Sequence, residues 1–217
     1  MPRSEVAASQ ESPASERAQP PRIGKQLIVI GIIVAIAAIS LYLLSQAGEF
    51  LIVHAPERAD VIIVLDGEWP QAVKLQKEGY APRILLDAGV NQVVYGRTEA
   101  DLAGEFLKQT KLADTQICPT TGDTTFEQVA DVKRCMDAVN ATSAVIVAPN
   151  FDTRRVIETF RKRLPQYRWS IAASSAPHRD AALYWKHRSW AKTALNAWEQ
   201  YLSWKLGDER RPDAVLR

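Results

Sequence analysis

Apolar residues are unevenly placed along this chain, and one run stands apart. Residues 27–44 read LIVIGIIVAIAAISLYLL, without charge or proline and with one glycine. As a helix these eighteen residues extend roughly 27 Å, close to a hydrocarbon core of about 30 Å, and residues 25–46 close the difference. The run has no polar face, which is a poor fit to a buried core helix. Tyr42 near its end suits an interfacial aromatic. A cleaved signal peptide is the rival reading, since Ser45-Gln46-Ala47 has the small-x-small look of a cleavage site. The run, however, exceeds the ~7–15 residues of such a segment, and 26 residues precede it. The pattern therefore predicts an uncleaved transmembrane helix over residues 25–46, meeting the lipid bilayer through residues 27–44.

From Ala59 onward the period changes. Short continuous apolar runs, several rich in β-branched residues, occur at residues 60–66, 83–87, 144–148 and 169–173, and a weak strand, Thr-Gln-Ile-Cys, spans residues 115–118. Such runs suit strands buried on both faces. Helical stretches fall between and after them, at residues 71–78, 98–109, 123–139, 152–163 and 190–206, the third opened by the capping-box pattern Asp123-Thr-Thr-Phe-Glu127. Alternating β and α predicts an open, parallel, five-stranded α/β sheet with helices on both faces. The division expected is a disordered tail at 1–24, the transmembrane helix at 25–46, a linker at 47–58, the α/β domain at 59–207 and a flexible tail at 208–217.

Charge adds orientation. Arg3, Arg17, Arg22 and Lys25 precede the apolar run, whereas only Arg58 follows it as far as Leu65. The positive-inside rule then puts the N-terminus in the cytoplasm and the main domain outside, as in a bacterial inner membrane. Across all 217 residues the formal net charge is +2, which argues against nucleic acid as a partner. The first 22 residues, rich in Ser, Pro, Ala, Glu and Arg, lack the apolar content to fold.

In open parallel sheets ligands bind outside the carboxyl ends of the strands. Those ends carry Asp66-Gly67-Glu68, Asp87-Ala88-Gly89, the stretch from Thr120 to Thr125, and Pro149-Asn150-Phe151-Asp152-Thr153-Arg154-Arg155. Helix N-termini expose amide donors there, so polar or anionic ligands would be held. The plainer reading is that these residues only cap helices and form turns. There is no GxGxxG, Walker lysine motif or GxSxG elbow, and no histidine pair at metal-ligand spacing. His54, His178 and His187 read as surface or linker residues.

Taken in order, these strand ends resemble the family of domain of unknown function 218, the YdcF-like and SanA/ElyC-type bacterial envelope proteins, over residues 60–206. Val64-Leu65-Asp66-Gly67 is similar to the family's VLGGG strand end, and AVKLQKEGYAPRILL to its A..LY..G.AP motif, through Ala72, Leu75, Gly79, Ala81 and Pro82. Asp87-Ala88-Gly89 stands where the family has Ser-Gly-Gly. Glu99 matches an acid at the next helix start, and Thr125-Phe126-Glu127-Gln128 a Thr-x-Glu-Asn signature. Phe151-Asp152-Thr153-Arg154-Arg155 resembles Tyr-His-x-x-Arg, and Trp185, Glu199 and Lys205 resemble the closing helix. The resemblance implies a Rossmann-like fold, cell-wall or lipid-carrier-related roles and, in one member, S-adenosylmethionine binding. The departures are Asp152 for histidine, Asp87 for serine, Gln128 for asparagine, and one glycine in the first loop.

These departures gather acids. Asp66, Asp87, Glu127 and Asp152 are the catalytic candidates. Gly67, Gly89, Glu99, Thr125, Gln128, Arg154 and Arg155 are the ligand-binding candidates. No metal site is assigned, although Mg²⁺ would suit such oxygen-only ligands. An arginine, Arg155 or Arg154, would contact phosphate. The leading functional reading is a membrane-anchored binder or enzyme for an anionic, phosphate-bearing envelope precursor. The alternatives are a non-catalytic scaffold that keeps the fold, and an S-adenosylmethionine or nucleotide binder. Cys118 and Cys135 are expected to be free buried thiols, because eleven residues of helix from Thr124 span ~16 Å. Trp190, Ala194, Trp198 and Leu202 recur every four residues and predict one apolar stripe, docked on the sheet or resting on the outer leaflet.

Overall fold

The structure is a computed structural model that describes residues 23–91, 93–110, 112, 114–122, 125–174 and 184–207. The tails expected at 1–24 (up to residue 22) and 208–217, the capping-box residues Asp123 and Thr124, and His178 lie outside the described residues. Two compact units are present, Met1–Leu41 and Tyr42–Arg217. In the first, helix α1 (Ile23–Leu51) begins; it is long and apolar enough to cross a membrane, and its apolar side chains from Leu27 through Leu41 stand exposed.

The second unit is α/β. Strands β1 (Val61–Val64), β2 (Arg83–Gly89), β5 (Thr115–Thr120), β6 (Ser143–Ala148) and β7 (Arg168–Ala173) form one all-parallel sheet in the order β5-β2-β1-β6-β7. Every residue of β1 and β6 is buried, as expected of strands covered on both faces. Val61, Ile63 and Leu65 face helices α4 (Thr125–Ala138) and α5 (Thr153–Arg163), packing with Val132, Met136, Val156 and Phe160. The alternate residues Ile62 and Val64 face α2 (Trp69–Lys77) and α3 (Glu99–Thr110), packing with Ala72, Leu75 and Leu107. Helices thus cover both faces. The chain builds outward from β1 through β2 to β5, then crosses to β6 on the other side, so the order reverses between β1 and β6.

The amino edge of the sheet is closed by Asp60. Its Oδ2 accepts from the backbone amides and hydroxyls of both Thr142 and Ser143, at 2.9–3.0 Å, and these donors hold its carboxyl below the usual range. A small hairpin, β3 (Val93–Val94) and β4 (Arg97–Thr98), interrupts the path from β2 to α3. The sequence pattern gave no sign of it. Tyr95 and Gly96 turn it with positive φ at both positions, the geometry that favours tight hairpins.

Two further expectations are corrected. Cys118 and Cys135 are not free thiols but form a disulfide, with Cα atoms 5.8 Å apart. Counting along the helix took distance from its start as distance from Cys118. In fact Asp131, six residues into α4, bonds to Thr121 just past the end of β5. One turn further, about 6 Å on, Cys135 comes level with Cys118. The segment expected as a linker is docked. Leu51 is 0% exposed and packs with Ala197 and Tyr201 of α6 (Arg188–Lys205). The Val53 amide donates to Thr153 Oγ1 at 2.7 Å, and the Ala55 amide to the Ile171 carbonyl at 2.8 Å, along the free edge of β7.

Helix α6 buries Ala194, Ala197 and Tyr201 rather than the four-residue stripe, while Trp190 and Leu202 are exposed. A four-residue step overshoots a full turn by about 40°, so that stripe winds off the buried face. The helix packs against α5 and the last turn of α1, with Lys205 2.8 Å from Glu158 of α5. The disulfide closes a 17-residue separation, for which chain entropy gives about 3 kcal/mol. We expect Cys118→Ser with Cys135→Ser to lower unfolding stability in urea by about that amount, and thiol labelling of the native chain without reductant to find no free cysteine.

Candidate functional site

The carboxyl ends of β1, β2, β5 and β6 converge where the strand order reverses, the place at which such sheets hold ligands. Asp66 and Gly67 leave β1 with φ of 53° and 72°, a left-handed pair that aspartate and glycine tolerate. Asp87 lies near the end of β2. Glu99 is the first residue of α3, Thr125 the first of α4, and Asp152 stands at the N-cap position of α5 without a side-chain capping bond. Each side chain is therefore fixed by the start of a helix or the end of a strand.

Hydrogen bonds tie the group together. The Gly89 amide donates to Glu99 Oε2 at 3.0 Å, so this N–H, expected to face a ligand, is already used. Arg155 donates from Nη1 to Thr125 Oγ1 at 3.0 Å and from Nη2 to Asp152 Oδ1 at 3.2 Å. Its guanidinium thus bridges the first residues of two helices. The Thr121 amide and hydroxyl both donate to Asp131 Oδ2, at 2.7 and 3.1 Å, while Arg134 meets the other oxygen at 3.0 Å. Gly122 lies so close to Glu127 that an added Cβ would stand 2.1 Å from the Glu127 Cβ, so only glycine fits this turn.

Two polar atoms of this edge are buried without a hydrogen-bond partner among the described residues: Asp87 Oδ1 and Arg155 Nε. Buried polar atoms are nearly always paired, and an unpaired one costs roughly 1–3 kcal/mol. Asp87 is only 8% exposed. Burial pushes its pKa up to about 6, against the pull of the Thr120 hydroxyl and with added repulsion from Asp66, Glu99 and Asp131. Solvent reaches Asp66, yet enough protein surrounds it to desolvate its charge. That desolvation raises its pKa, with Asp152, Glu99 and Glu68 adding to the rise and Arg155 opposing it. Asp66 and Glu99 are therefore within electrostatic reach of both orphaned groups or their neighbours. Asp152 and Asp66 act on the Arg155 guanidinium, while Asp66, Glu99 and Asp131 add their charge around Asp87.

Six expected site residues, Asp66, Asp87, Glu99, Thr125, Asp152 and Arg155, are brought into this one group. Arg154 is not among them. It points the other way, donating from Nε to the Phe50 carbonyl, lying 4.1 Å over the Phe50 ring and 3.7 Å from Glu158. Adjacent helical residues project about 100° apart, so the two arginines cannot share a target. Glu127 is exposed on the first turn of α4, and Gln128 is half-buried beside it. His54, read as a linker residue, accepts the Ala173 amide at 3.1 Å and so caps the carboxyl end of β7. Asp131 was missed by sequence reading, whereas its partner Thr121 stood in the strand-end stretch from Thr120 to Thr125. The only signal was an acid at a helical position facing the preceding strand. Among the described residues no three His, Cys, Asp or Glu side chains are placed to hold a metal ion, so Mg²⁺ finds no such set there.

Comparison with protein-family models, with curated proteins and with solved structures finds no match to this chain. The site's chemistry must therefore be read from its own geometry. A carboxyl whose pKa rises on folding binds its proton more tightly in the native state. Native stability is then greatest below the unfolded pKa and is lost as pH rises through about 6. We expect Asp87→Asn to stabilise the fold above pH 6 by on the order of 2–3 kcal/mol and to have little effect near pH 4, read by urea unfolding across pH.

Proposed function

We propose that this chain is a single-pass membrane protein with a cytoplasmic N-terminus. Its extracytoplasmic, Rossmann-like domain resembles the YdcF-like family and binds an anionic, phosphate-bearing cell-envelope precursor at the carboxyl edge of the sheet. The observation that carries the reading is the pair of buried, unpartnered polar atoms, Arg155 Nε and Asp87 Oδ1, at that edge. Arg155 is oriented by Thr125 and Asp152 and keeps its Nε–H unspent, the type of group that recognises phosphate oxygens. Asp87, when protonated, adds a second donor and removes a repulsive charge. When ionised it is a base poised near neutrality.

Other features support the parts of this reading. Glycine stands at the family's first strand end where this chain has Asp66, and Asp66 keeps the left-handed backbone that glycine adopts easily. The strand order corresponds to five of the six strands of a doubly wound dinucleotide-binding sheet. The Lys/Arg asymmetry around α1 and the disulfide agree on an oxidising side of the membrane for the domain. A second reading, a non-catalytic interaction protein, is favoured by the excess of carboxylates around one arginine.

Pyrophosphate serves as the probe. We expect it to raise the thermal midpoint of the purified chain, more strongly below the Asp87 midpoint near 6 than above it. A saturating ligand at ~100 times its Kd adds about 2.7 kcal/mol. Arg155→Ala should abolish the shift and Arg154→Ala should leave it. Absence of any shift, or a shift that survives Arg155→Ala, contradicts the anion-site reading.

A further inference from the structure

Helix α4 carries a residue of the anion site at its start and half of the disulfide near its end. Thr125 is its first residue, and its hydroxyl accepts from Arg155 Nη1 at 3.0 Å. Cys135 lies about three turns further on and is bonded to Cys118 in β5, the edge strand of the sheet. A short hydrogen-bonded helix moves as one rod, so whatever fixes α4 along its axis also fixes Thr125.

Two kinds of contact hold this helix. Val129, Val132 and Met136 bury its inner face in the core. Apolar burial is non-directional, so it keeps α4 against the sheet but specifies its level less sharply than a directed bond does. The level is set by one turn of the helix. Asp131 Oδ2 accepts from the Thr121 amide and hydroxyl, Arg134 donates to the Pro119 carbonyl at 2.8 Å, and Cys135 joins Cys118. Thr121 and Arg134 are exposed, so water competes for their bonds. The disulfide is the link that water cannot replace.

The two sulfurs differ in access. Cys118 is 1% exposed, with its Sγ 3.8 Å from the Asp131 carbonyl oxygen, whereas Cys135 is half-buried. Exchange therefore starts at Cys135.

We propose that Cys118–Cys135 is a redox switch on the anion site. Oxidised, it holds α4 at the level from which Thr125 orients Arg155; reduced, it releases that level and weakens the grip of Arg155 on phosphate. The proposal rests on the reading of Arg155 as an anion-binding residue. The reductant is a dithiol. One of its thiolates attacks Cys135 Sγ, forming a mixed disulfide and releasing Cys118 as a thiolate that takes up a proton. Its second thiol then displaces Cys135, which is protonated in turn. Two electrons pass to the protein sulfurs, and the dithiol ends as its own disulfide. Asp152, at the start of the same helix as Arg155, keeps its contact in both states, so reduction weakens the site without erasing it.

The test is calorimetric titration of pyrophosphate into the purified full chain, oxidised and after reduction with dithiothreitol, with circular dichroism of both forms. The switch predicts an unchanged far-ultraviolet spectrum and binding weakened about fivefold or more on reduction. Linkage requires pyrophosphate to oppose reduction by the same factor, which for fivefold moves the disulfide midpoint about 20 mV more negative. Thr125→Val should bind weakly in both states and lose the dependence on reduction. Equal affinity in the two states of the native chain overturns the switch and leaves the anion site standing. A reduced chain that unfolds also overturns it, because the bond then holds the whole fold and not one helix level. No binding to the oxidised chain overturns the anion-site reading and the switch with it.

Discussion

A parallel sheet buried on both faces leaves its polar residues only two places to go, the amino edge and the carboxyl edge. The residues of β1 and β6 are wholly buried, so no charge can be carried along them. The same residue type meets opposite fates at the two edges. Asp60 collects four donors at the amino edge and is held ionised, closing β1 onto β6. Asp87, at the other end of the neighbouring strand, is buried with one oxygen unanswered and its pKa near 6. The first is a structural clamp. The second is an unspent interaction, maintained at a cost in stability, and unspent interactions at strand ends are what a ligand uses.

The sheet was legible in the sequence because its central strands are continuous apolar runs that fit no amphipathic helix, whereas the edge strand β5 is more polar. Asp66, Asp87, Glu99, Thr125, Asp152 and Arg155 were legible for a related reason, since a residue next to the carboxyl end of such a run has its position set by the fold. What escaped depends on distances between segments. Arg154 and Arg155 look alike in sequence, and Phe50, in the last turn of α1, draws one of them away. The disulfide escaped because the level at which α4 starts, beyond the end of β5, is not written in helix length. Asp131 escaped because a carboxylate inside a helix looks like a solvated charge until the Thr121 turn is brought against it.

The region where α1 ends joins these features. Leu51, Val53, His54 and Ala55 seal the outer side of β7 and the flank of α5, so the segment that follows the apolar run is part of the domain and not a tether.

The account stands on Asp87 and Arg155 being two halves of one anion site. The direct measurement is the side-chain carboxyl carbon resonance of Asp87 followed by NMR across pH, with and without pyrophosphate. The account predicts a midpoint near 6 that moves higher when pyrophosphate is present and is no longer moved in Arg155→Ala. A midpoint in the ordinary aspartate range, or one that pyrophosphate leaves in place, contradicts it.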